Sequence, residues 1–228
     1  MSIALATRTF GSGGAEPYAE ALVTSEPVYL VLTENNPQAP VSRSTLDVSR
    51  WTAEADDIDR RLLLAVTGPV LDVGCGPGRM VRAAMDLGMD ALGIDVSPAA
   101  IRIADDAGLR VLETSIFSAL PSEGHWQTVL LVDGNVGIGG NIAALLARCV
   151  EVLAPMGEIV VEVNPDRNHF RTGNGTLVGS SGSESESFPW SEVGLDHLVR
   201  LAAARGLALR QSWQLGGRSF CRLAKIRP

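Results

Sequence analysis

The sequence predicts an α/β fold, a mostly parallel sheet covered by helices on both faces, and three observations carry that prediction. The apolar run Val70–Val73 contains Asp72 and then breaks into glycines at Gly74, Gly76 and Gly78 before Arg79 re-enters a helical pattern. A second apolar run ends in Asp95, 21 positions after Gly74. Runs of strand length then alternate with helical periodicity up to Val163, the pattern of a parallel sheet buried on both sides.

Each element has a local reason. Residues 1–50 are irregular, with Gly11-Ser12-Gly13-Gly14, a candidate strand Val28–Leu32 and a turn at Asn35-Asn36-Pro37. They form an N-terminal lid or substrate-wall segment ahead of the main domain, 51–228. Thr52–Val66 reads as one helix, because Asp56, Asp57 and Asp59 precede Arg60 and Arg61, the order that the helix dipole favours. The helix after the glycine loop stops at Gly88. Ser97-Pro98 supplies an N-cap and a first-turn proline for a helix to Ala107, and Leu109–Glu113 is the next strand. Thr128–Val132 is a fourth strand, followed by Asp133-Gly134-Asn135. Asn141 caps a helix whose Ile142, Leu145, Leu146, Cys149, Val150 and Leu153 share one face, and Glu158–Val163 resumes as a buried strand. Thr172–Ser187 is rich in glycine and serine, a composition that buries little surface, so 165–188 reads as a flexible insertion. Trp190–Arg205 reads as a helix. Leu207–Leu215 and Arg218–Ile226 then form an antiparallel hairpin through Gly216-Gly217.

The strand–loop–helix–strand unit around Asp72 and Asp95 is the grammar of an adenosine-cofactor site. Glycines let the backbone approach a ligand, and an acid about 20 residues on meets a ribose. Arg79 stands where a dinucleotide loop has its last glycine, and Asp72 opposes a diphosphate but suits an ammonium group. A cofactor with a ribose, no phosphate and an amino-acid tail fits, whereas a nicotinamide dinucleotide does not.

These residues resemble the class I S-adenosylmethionine-dependent methyltransferases, whose first motif is D/E-x-G-x-G-x-G. The resemblance implies a Rossmann-like three-layer sandwich with a mostly parallel seven-stranded sheet and an antiparallel C-terminal strand. It implies S-adenosyl-L-methionine as cofactor and S-adenosylhomocysteine as product. The backbone at Gly74, Cys75, Gly76 and Gly78 would line methionine and ribose, Asp72 would hold the ammonium, and Asp95 with Val96 would meet the ribose hydroxyls. Ser115 stands where the family usually has an acid, so the Ser115 hydroxyl and the Ile116 amide are the expected adenine contacts. Asp133 and Gly134 would face the methionine end. The run Trp51–Gly78 and the Asp-Gly-Asn loop look like those of actinobacterial small-molecule methyltransferases, which implies secondary metabolism and antibiotic biosynthesis.

Composition bounds the rest. Hydrophobic residues at 46% and charged residues at 20% describe an ordinary globule, and a net charge of −7 argues against a nucleic-acid partner. Cys75, Cys149 and Cys221 are far apart, so no zinc site or disulfide framework is expected and a cytoplasmic location is read. No apolar run is long enough to span a membrane, and Ile3–Ala6 falls short of a signal peptide. A monomer or homodimer, with room for a partner protein, is expected.

Substrate should lie over the loops after Asp133 and Val163 and against the N-terminal segment, where Tyr18 and Asn135 are candidate contacts. Candidate bases are His125, His169, Asp133, Asp166 and Tyr18. His169, after the fifth strand, is the best placed as base and substrate contact, with Asp133 second. The loop after the fourth strand holds neither an N/D-P-P-Y/F tetrad nor a cysteine, which points away from planar-nitrogen methylation of nucleic acids and from pyrimidine C5 chemistry. Methyl transfer to O, N or S of a small molecule is the expected reaction. Two alternatives stay open: an enzyme that uses the bound sulfonium for displacement or cyclisation, and a nonenzymatic partner-binding module.

Overall fold

A computed structural model describes residues 9–10, 17–34 and 38–226. The elements, in chain order, begin with α1 (Pro17–Thr24), β1 (Val28–Glu34), β2 (Ser42–Leu46), α2 (Val48–Thr52) and α3 (Asp57–Leu64). The glycine-loop unit follows as β3 (Val70–Val73), α4 (Arg79–Asp86), β4 (Ala91–Asp95), α5 (Pro98–Asp106) and β5 (Val111–Glu113). Next come β6 (Trp126–Leu131), α6 (Ile142–Val152), β7 (Leu153–Val163), β8 (Phe170–Gly179) and β9 (Phe188–Val193). The chain closes with α7 (Leu195–Ala203), β10 (Leu207–Leu215) and β11 (Arg218–Lys225).

The main sheet has seven strands in the order β10-β11-β7-β6-β3-β4-β5. β11 runs antiparallel to both β7 and β10, while β3 pairs parallel with β4 and β6. Its central strands are buried on both faces, which is why they read as unbroken apolar runs. Successive residues point to opposite sides. Val129, Leu131 and Val161 pack under α6 and α7, whereas Leu130, Val132 and Val160 pack under α3 and α4. The capping residues read from the sequence hold: Ser97 accepts from the Ala100 amide at 3.3 Å and Asn141 from the Ala144 amide at 3.0 Å.

A second, four-stranded antiparallel sheet has the order β2-β1-β8-β9. It joins the N-terminal segment to residues following β7. β1 pairs with β8 from Val28↔Gly179 to Glu34↔Gly173, and β8 with β9 from Phe170↔Val193 to Gly175↔Phe188. Its core contains Leu30, Leu32, Leu177, Phe188 and Trp190 packed against Tyr18 and Ala21 of α1.

Three expectations change. Much of the glycine- and serine-rich segment is strand, because a bare backbone is what that register accepts: a Cβ at Gly173 would lie 2.1 Å from the Thr33 carbonyl. The helix expected from Trp190 begins only at Leu195, and Trp190 to Val193 belong to β9. The helix expected over Thr52–Val66 is two pieces, since Ala53 is extended (φ −77°, ψ 172°) and Asp56 opens α3 with a capping box to Asp59. The turn expected at Asn35-Asn36-Pro37 lies outside the described residues.

Candidate active site at the strand-order reversal

From β3 the chain builds the sheet outward through β4 and β5, then returns to β3's other side with β6 and β7. In open α/β sheets ligands bind outside the carboxyl ends of the strands at that reversal. A cavity of about 500 Å³ opens there.

Most of the residues read from the sequence converge on it. Asp72, Gly74, Cys75 and Gly76 line it from the end of β3, and Asp95 with Val96 from the end of β4. Ser115 and Ile116 follow β5, Asp133 and Asn135 follow β6, and Tyr18 reaches in from α1. Two glycines are required by close approach. Gly74 has φ +71°, and a Cβ there would lie 2.7 Å from the Asn135 amide nitrogen; Gly76 has φ +53° with the Tyr18 hydroxyl 3.1 Å from its Cβ position.

The carboxylates differ in what they touch. Asp95 accepts from the Gly76 amide and from the Ser97 amide, each at 2.8 Å, and burial raises its pKa against those two donors. Asp72 is 2% exposed and its Oδ1 has no hydrogen-bond partner among the described residues. Burial pushes its carboxyl up to about 7, against the pull of Arg79. The buried Nε of Arg79, another lining residue, also lacks a partner among the described residues.

Arg79 is anchored at its other end by an ion network that sequence reasoning missed. Its two terminal nitrogens bond Asp59 and Asp133. Arg218 of β11 reaches Asp59 at 2.8 Å, Asp133 at 3.1 Å and Glu162 at 2.6 Å, and Arg50 of α2 reaches Asp59 at 2.9 Å. Burial alone would raise the Asp59 pKa, but hydrogen bonds from Arg79 and Arg218 hold it below its usual value. One signal was available. A cation in the first turn of a helix opposes the helix dipole, so Arg79 directly after Gly78 called for a buried acid nearby.

Other expected residues take different places. Gly78 does not line the cavity but opens α4 at φ +91°, and Gly134 is a left-handed turn residue outside the lining. His169 is also outside it, with its Nε2 2.8 Å from Glu192 on the neighbouring strand. That corrects the expectation of His169 as base and substrate contact: none of the three histidines lines the cavity. Asp133 lines it, yet its carboxylate is committed to the Arg79, Arg218 and Arg50 guanidiniums, and its amide donates to Glu162 at 2.8 Å. Asn135 donates from its amide nitrogen to the Val73 and Gly74 carbonyls, each at 2.9 Å, stitching β6's loop to β3. Among the described residues no cluster suits a metal ion.

A family model described as a methyltransferase domain matches residues 70–157. Over those residues the chain is similar to methyltransferase domains. That match covers the strands and loops whose ends form the charged wall of the cavity. The fold extends the likeness to nearly the whole chain. A Bacteroides fragilis S-adenosylmethionine-dependent methyltransferase, solved with S-adenosyl-L-homocysteine, superposes with a TM-score of 0.73 at 18% identity, covering 92% of this chain and 93% of that one. The Burkholderia thailandensis 1,6-didemethyltoxoflavin N1-methyltransferase gives 0.57 at 19% identity over 78% and 81% of the two chains. A sugar N-methyltransferase from Streptoalloteichus gives 0.56 at 15% identity over 78% and 88%. No curated protein sequence matches the chain. The Rossmann-like methyltransferase fold and the family resemblance read from the sequence are borne out.

Proposed function

We propose that the protein is an S-adenosylmethionine-dependent methyltransferase acting on O, N or S of a small molecule, in the cytoplasm and in secondary metabolism. The observation that carries this reading is that two residues lining one cavity, Asp72 and Arg79, each hold a buried polar atom, Oδ1 and Nε, with no partner among the described residues. A lone acceptor and a lone donor there match an ammonium and a carboxylate, the two ends of an amino-acid tail. Asp95 stands where the ribose hydroxyls would be met. Ser115 and Ile116 flank the adenine position, and the turns at Gly74 and Gly76 keep side chains out of the ligand's way. The cofactor, when bound, supplies an electrophilic methyl group on sulfur. Holding an acceptor in line with it can contribute roughly 7–11 kcal/mol, so positioning is the protein's main task. The similar toxoflavin and sugar enzymes have small-molecule acceptors, which supports the substrate class. No helix among the described residues is long and apolar enough to cross a membrane.

Methyl-labelled S-adenosylmethionine, incubated with the protein and an extract of its native cells, should yield S-adenosylhomocysteine and a labelled small molecule. Cofactor bound but never consumed would move the reading to the nonmethylating alternative.

The buried Asp72 also sets a pH dependence. An ammonium is held by the ionised carboxylate, and in the ligand-free protein that form gives way below about pH 7. Affinity for S-adenosylhomocysteine is expected to fall about tenfold per unit as pH drops below 7. Ligand-free stability should respond oppositely at this residue. The folded chain keeps a proton between 3.8 and about 7 that the unfolded chain releases, so Asp72's contribution declines as pH rises through that window. Calorimetric titrations across that window check the affinity, and Asp72→Asn should flatten the profile.

A further inference from the structure

The cavity has two walls of different chemistry. Its four charged lining residues, Asp72, Arg79, Asp95 and Asp133, all stand at or just after β3, β4 and β6. A second wall comes from outside the matched residues: Thr9, Phe10, Tyr18 and Leu46 from the N-terminal segment, Trp51 from α2 and Trp190 from β9. No side chain in that second wall carries a formal charge at neutral pH, since burial raises the Tyr18 pKa well above its usual value. Its rings brace one another. Phe10 meets Tyr18 at 5.2 Å and 63°, Tyr18 meets Trp51 at 5.8 Å and 75°, and Phe188 backs Trp190 at 5.9 Å and 89°. Edge-to-face packing of this kind holds the rings in fixed orientations and leaves a preformed apolar surface.

We infer that the acceptor is an uncharged, planar aromatic or heteroaromatic molecule, bound against the wall formed by Phe10, Trp51 and Trp190. The inference rests on the cofactor reading, which reserves the charged wall for the amino-acid tail and the ribose. Rigid aromatic faces favour a flat ring, through apolar burial and offset or edge-on ring contacts. A carboxylate or phosphate on the acceptor would lose its hydration against this wall with no cation to replace it, because the Arg50 and Arg218 guanidiniums are bound to Asp59 and Asp133 and the cofactor reading gives the unpartnered Nε of Arg79 to the amino-acid tail. A polyol would find few hydrogen-bond partners against Phe10, Leu46, Trp51 and Trp190. Leu46 of β2 and Trp190 of β9 belong to the four-stranded sheet, whereas the charged residues of the cofactor wall stand on and around the seven-stranded one.

The test is a binding measurement on the full chain, with and without S-adenosylhomocysteine, using three probes followed by NMR: quinoline, quinoline-4-carboxylate and glucosamine. Quinoline should bind saturably at neutral pH, and the other two at least about tenfold more weakly. Trp190→Leu should weaken quinoline about fivefold, the scale of one ring contact, while S-adenosylhomocysteine affinity stays within about twofold. Trp51→Leu serves as a second variant if Trp190→Leu does not fold. Equal or tighter binding of glucosamine or of the carboxylate, or no quinoline binding to folded wild-type protein, would overturn the inference. Failure of S-adenosylhomocysteine to bind while quinoline does would instead overturn the cofactor reading and leave the aromatic wall standing.

Discussion

Replacing Asp59 with alanine should lower the folding stability by about 3–5 kcal/mol, which for a chain of this size corresponds to a fall in melting temperature of roughly 6–20 °C. Asp59 is fully buried and accepts from Arg79, Arg218 and Arg50, which come from three separate parts of the chain. Removing its carboxylate leaves the Arg79 guanidinium, itself 6% exposed, with Asp133 as its remaining acidic partner. The loss should be felt beyond stability, because Arg79 lines the cavity and Arg218 ties β11 to the β6 loop through Asp133. Thermal and urea unfolding check the figure. A change below about 1 kcal/mol, the range of surface ion pairs, would mean that the network does not hold the site together.

Replacing Asp72 with asparagine separates binding from stability. The substitution keeps the shape and removes a charge whose burial already pushes its pKa to about 7, so the ligand-free protein should be as stable as wild type or more so at pH 8. Affinity for S-adenosylmethionine should nevertheless fall by about 30-fold or more, the effect of losing one charged partner of a buried ammonium, about 2 kcal/mol at the low end. Calorimetry at pH 8 reads both quantities on one preparation. Unchanged affinity would show that Asp72 is not the ammonium's partner.

The central sheet was legible because its physics is local. Strands buried on both faces read as apolar runs, the glycine loop and Ser97-Pro98 announce their helices, and Gly216-Gly217 announces the final hairpin. The cofactor wall followed, since Asp72, Gly74, Gly76 and Asp95 lie within one strand–loop–helix–strand unit. The acceptor wall was not legible. It depends on β1 pairing with β8, more than 130 residues away in the chain, and on glycines such as Gly173 that look like loop residues until a neighbouring backbone is set beside them. Trp190 reads as helical because nothing local marks Gly194 as the start of α7. The ion network was hidden for the same reason: Arg50, Asp59, Asp133, Glu162 and Arg218 are dispersed in sequence and meet only where the sheet brings β6, β7 and β11 together. His169 shows the reverse error, a residue placed by its position after a strand whose side chain pairs with Glu192 instead.

The most direct test of the account is a calorimetric titration of the wild-type protein and of Asp95→Ala with S-adenosylmethionine at pH 8. Wild type should show a single saturable site, weakened about tenfold or more when the Asp95 carboxylate is removed. No binding by folded wild-type protein, or binding indifferent to Asp95→Ala, would contradict it.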